Sequence, residues 1–154
     1  MKNTISGNIE SGTTDFALLI ARIGIATLML THGLPKMSML FSGDPVQFPP
    51  VMGLGAKTSL GLAVFAEVIC SVLILAGFAT RLATLPLIIT MLVAVFVIHE
   101  ADPFKVKEPA LYYLLVYLVL LLGGSGKFSV DYLLSPKNRL VDFGNTRTGD
   151  QSYQ

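Results

Sequence analysis

A few residues able to hold protons or bind polar ligands stand where the chain is otherwise greasy. Arg22 lies inside "FALLIARIGIATLMLTHGL", and His32 and Lys36 lie at its end. Glu67 lies in the middle of "SLGLAVFAEVICSVLILAGF". His99 ends a third apolar run, and Tyr112, Tyr113 and Tyr117 enter a fourth. An unpaired charge at mid-bilayer costs at least ~3 kcal/mol, so each of these groups needs a partner or a task. Arginine stays protonated, so Glu67 would carry any titration. Counted from the ends of their runs, Arg22 and Glu67 differ in depth by ~5 Å, which an arginine side chain can cover. A buried Arg22–Glu67 ion pair is therefore expected. It would either fix helix register or present a proton-accessible or substrate-binding carboxylate.

Arg22, His32 and Lys36 fall within an arc of roughly 80° on a helix turning 100° per residue. They form a polar stripe that reaches the membrane surface. His99, with Glu100 and Asp102 beside it, ends the third run at the same surface. His32, Lys36, His99, Tyr113 and Tyr117 could thus converge on an outward-facing pocket beneath a long loop. A blander reading makes the tyrosines an interfacial aromatic belt and Lys36 a snorkelling anchor. The histidines and acids lack an HxxxH or HxxE spacing, so no metal site is expected. Cys70 is the one cysteine, which excludes a disulfide or a CxxC redox pair within the chain. Its thiol reads as packing.

These residues need helices to hold them. The 154 residues are 53% hydrophobic and 14% charged, with mean hydropathy +0.67. That is too apolar for a small soluble domain, and a net charge of +1 gives no field for nucleic acid. The pattern predicts an all-α membrane protein, an antiparallel four-helix transmembrane bundle over residues 15–135. A flexible polar tail (1–14) precedes it and a polar tail (136–154) follows. Each apolar run approaches the ~20 residues that cross a ~30 Å core. "SMLFSGDPVQFPPVMGLGAK" reads as a loop from its Gly and Pro content. "GFATR" is a short link that forces adjacent helices. Pro109 suits the first turn of the fourth helix; its apolar run from Ala110 is short, so the helix is either little tilted or begins before Ala110. "KFSVDYLLSPKNRL" could lie along the interface. Gly61, Gly77, Gly123 and Gly124 allow close helix approach.

Lys2, Arg81, Lys127, Lys137, Arg139 and Arg147 fall on the side of the termini, and Lys36, Lys57, Lys105 and Lys107 on the other. Six basic residues against four favour cytoplasmic termini in a bacterial inner membrane.

Five motifs then stand in order: Arg22; His32–Gly33–Lys36; Glu67; Gly77–Thr80–Arg81; and Gly124–Gly126–Ser129–Asp131. Together they resemble the DoxX-like family of small four-helix membrane proteins, over about residues 16–135. Relatives in that family include the membrane subunit of a thiosulfate:quinone oxidoreductase and a partner in a complex handling thiol oxidative stress. Disulfide-forming membrane reductases are more distantly similar, but they need paired cysteines, and Cys70 is alone. The resemblance implies a quinone-interacting or redox-associated subunit, with a quinone as its non-covalent cofactor and a soluble or membrane redox protein as partner. Self-association is open. A small proton-linked carrier using Arg22 and Glu67, and a structural membrane module without chemistry of its own, are the other two readings.

Overall fold

A computed structural model describes residues 4–135, with side chains from residue 12 onward. All regular structure among the described residues is helical. Helix α1 is Thr4–Phe41, α2 is Ala56–Ala76, α3 is Thr80–Ile98 and α4 is Phe104–Gly123. A short helix α5, Val130–Leu134, follows. Each of α1 to α4 contains a stretch long and apolar enough to cross a bilayer, which in α1 is Gly12–Phe41.

The helix limits differ from the sequence expectation in three places. The backbone from Thr4 to Thr14, expected as a flexible tail, continues α1. At its other end α1 runs past Pro35 to Phe41, so the loop starts at Ser42 rather than Ser38. Helix α4 starts at Phe104, with Pro109 inside it. Pro103, at φ −57°, is already set for helix entry and starts α4 earlier than Pro109 could. The expected C-terminal tail, 136–154, lies outside the described residues.

Side-chain neighbours fix how the helices lie. Leu18 of α1 is the nearest atom group to Gly123 of α4, and His32 stacks edge-on to Tyr113. Arg22 lies against Gly77, which ends α2, whereas Gly33 lies against Glu67 and Val68. Residue numbers therefore rise along α1 as they fall along α2 and α4. Asp15 pairs with Lys127 at 3.3 Å, so the start of the α1 span and the stretch after α4 share one end of the bundle.

Ala26, Met29, Ile74, Leu87, Tyr117 and Leu120 form the fully buried interior. Outward, Phe16, Ile20, Leu82, Phe96, Leu115 and Leu122 are exposed. In water this apolar surface would aggregate, and in a bilayer it meets its own kind of solvent. Without a hydrophobic drive between helices, close packing must hold the bundle. Gly33 shows how. A Cβ there would come within 2.8 Å of Val68 Cγ2 and 3.0 Å of the Glu67 backbone.

Two helices widen locally. Phe65–Cys70 in α2 and Ala94–Ile98 at the end of α3 are π-helical turns. Such turns often mark functional positions. The first carries Glu67, and the second delivers the chain to His99.

Candidate functional site

The Arg22–Glu67 pair expected from the sequence does not form. Both side chains are buried, at 1% and 2% exposure, but each has other partners. The Arg22 guanidinium donates from Nη1 to the Ser125 carbonyl and from Nη2 to the Phe128 carbonyl, both at 2.7 Å. Glu67 Oε1 accepts from Lys36 Nζ at 2.5 Å. The depth count failed because α1 and α2 do not start and stop together. Gly77, with no side chain, lets the end of α2 rest on Arg22, and Glu67 lies ten residues away, ~15 Å along the helix.

The Arg22 end is closed by backbone. Gly124 and Gly126 adopt positive φ, 77° and 68°, and fold the chain after α4 under the bundle. Ser129 Oγ accepts from the Tyr132 amide and caps α5. Asp131 Oδ1 accepts from the Ala79 amide at 2.8 Å, and the Asp131 amide donates to the Gly77 carbonyl. Arg81 Nη2 donates to the Leu122 carbonyl at the end of α4. The Gly77–Thr80–Arg81 and Gly124–Gly126–Ser129–Asp131 motifs thus interlock around Arg22 through these hydrogen bonds.

The Glu67 end is open. A cavity of about 490 Å³ lies there, lined mostly by apolar side chains. His32, Lys36, Ser59, Glu67, Thr90, His99 and Tyr113 supply its polar side chains. Four of the five residues expected in an outer pocket therefore meet. The fifth, Tyr117, does not line the cavity. It is fully buried behind Tyr113, the two rings 6.2 Å apart. Phe48, Pro49, Val51, Met52 and Leu54 of the α1–α2 loop form the roof. The loop is held by the Val51 amide donating to Ser59 Oγ and by Lys36 under the Phe48 ring, 5.9 Å from its centroid. At the rim, His99 Nδ1 meets Asp102 Oδ2 at 2.6 Å, which orients the imidazole.

The sequence pointed to Lys36 as a pocket residue and snorkelling anchor but missed it as the carboxylate's partner. A signal existed. Gly33 sits one turn before Lys36, and a residue without Cβ there brings α2 close enough for the lysine to reach across. Lys36 is 31% exposed, so the ion pair has one foot in the cavity. Among the described residues, Glu67 Oε2, Ser71 Oγ, Tyr117 Oη, Thr80 Oγ1 and Arg22 Nε are buried without hydrogen-bond partners. Cys70 is buried and free, as packing requires.

A family model described as DoxX matches residues 17–100. A protein of Haemophilus influenzae, described as an uncharacterized protein, is 30% identical over 141 residues, which cover 87% of this chain and 91% of the relative. No solved structure matches. The matched segment takes in the helix with Arg22, His32 and Lys36, the π turn with Glu67 and the histidine at the cavity rim: the chain belongs to the DoxX family.

Proposed function

We propose that this membrane protein is a quinone-interacting subunit that serves a redox partner, with both termini in the cytoplasm of a bacterium. The observation that carries this reading is the cavity at the Glu67 end. Its volume suits a small aromatic head, its walls are apolar, and a few polar side chains converge in it. His32, Lys36, His99 and Tyr113 can donate hydrogen bonds to ring oxygens, and Tyr113 can face a ring. The exposed apolar helix faces would accommodate an isoprenoid tail. Lone Cys70 leaves the chain without a dithiol, so electrons would come from the partner.

A detergent-purified sample should bind decyl-ubiquinone saturably in calorimetry. His32→Ala should weaken that binding about three- to tenfold, the worth of one hydrogen bond. A titration with no saturable heat would end the quinone reading. Glu67 favours a second reading, a proton-linked carrier, because a buried carboxylate with one free oxygen is a natural proton site. Proton flux in proteoliposomes, lost in Glu67→Gln, would support it. Reporter fusions after Ser129 should read cytoplasmic, and fusions near Gly43 external.

A further inference from the structure

We infer that the cavity takes its ligand in the hydroxylated form, so that the preferred occupant is a quinol. The inference rests on the quinone reading and adds the redox state of the bound ring. Glu67 is 2% exposed and lines the cavity. Its Oε1 accepts from the Lys36 ammonium at 2.5 Å. A carboxylate only accepts hydrogen bonds. Its Oε2 has no donor among the described residues. A quinone carbonyl also only accepts, so placed at Glu67 it would set two acceptors face to face. A quinol hydroxyl donates, and donation to an ionised group makes a strong hydrogen bond.

The surroundings agree. Ser71 lies one turn from Glu67 on α2, and Tyr117 stacks behind Tyr113 of the cavity lining. Both hydroxyls are buried and unpartnered. Both lie behind the cavity wall, so the donors left to the ligand oxygen are those of the lining, His32 and Tyr113. Below them, fully buried Ile74 and Leu120 close the interior. The Glu67 end of the cavity is thus backed by buried side chains and walled mostly by apolar ones, which suits a hydroxyl head.

The test compares decyl-ubiquinol with decyl-ubiquinone on the detergent-purified full chain, under anaerobic conditions. The quinol should bind at least tenfold tighter. In Glu67→Gln the amide can donate as well as accept, and the preference should shrink to within about threefold. Should that variant not fold, Lys36→Met with Glu67→Gln removes both charges and serves in its place, with the same expectation. Equal binding, or tighter binding of the quinone by the unaltered protein, overturns the inference and leaves the quinone reading standing. A tenfold quinol preference that survives in the folded variants overturns the role of Glu67. If neither ring binds saturably, the quinone reading falls and this inference falls with it.

Discussion

Arg22 and Glu67 are both buried charges in apolar helices, and the two ends of the bundle treat them in opposite ways. Around Arg22 the chain supplies carbonyl oxygens from a folded loop, with two positive-φ glycines and an aspartate cap holding that loop in place. Around Glu67 it supplies one lysine, itself partly exposed, and leaves a carboxylate oxygen free beside a cavity. Both ends leave buried polar atoms unpartnered, Arg22 Nε and Thr80 Oγ1 at one and Glu67 Oε2 at the other, but only the Glu67 end opens on a cavity walled mostly by apolar side chains. In a low-dielectric medium an unsatisfied polar group is costly, and one beside a cavity is where a ligand or proton can be received.

The contrast can be broken hardest at Arg22. Arg22→Met removes two charge-assisted hydrogen bonds, each worth ~1.5–3 kcal/mol, and strands two carbonyls. Thermal melts in detergent should show a loss of at least ~3 kcal/mol, with the cavity's ligand affinity little changed in protein that remains folded. A near-neutral melt would show that the loop closes without the arginine. Glu67→Gln should cost less, about 1–3 kcal/mol, because the freed Lys36 can turn toward water. Lys36→Met with Glu67→Gln should recover much of that loss. Arg22→Met with Glu67→Gln should instead be additive within ~0.5 kcal/mol, since the residues lie ~15 Å apart. Coupling in that second double variant would restore the pair that the sequence suggested.

Gly33→Ala addresses the contact between the two regimes. Its Cβ would stand 2.8 Å from Val68 Cγ2, so α1 and α2 must separate, at ~1–3 kcal/mol. The separation should also weaken ligand binding at the cavity, which calorimetry would read. Asp131→Ala should have the smallest effect, ~1 kcal/mol for a lost cap, confined to melts and absent from binding. A change in ligand affinity there would mean that the two ends communicate.

How far the sequence carried the reading differs between the two ends in the same way. Four spans, the buried charges and the outer cluster of His32, Lys36, His99 and Tyr113 were legible, because hydropathy and helical phase are local properties. The partners of Arg22 were not. They are backbone carbonyls of a Gly-rich turn, and no residue type announces a carbonyl's position. The Lys36–Glu67 pair was hidden by register, since counting from the ends of apolar runs assumes that neighbouring helices begin at one level. Tyr117 shows the limit of phase: it lies one turn from Tyr113 on the same helix, yet burial takes it out of the cavity. The π turn at Phe65–Cys70 had no pattern to reveal it.

The separation of Arg22 from its acceptors along the chain bears on the order of assembly. Ser125 and Phe128 are 103 and 106 residues later, beyond the last spanning helix, whereas Lys36 and Glu67 are 31 apart. The lysine–glutamate contact can close as soon as the second span has entered the membrane. At roughly 5–20 residues per second, the arginine waits on the order of 5–20 s longer than its own insertion for the loop that receives it. During biogenesis the first helix therefore carries an unmet charge, and the final loop acts as the latch that completes the protein.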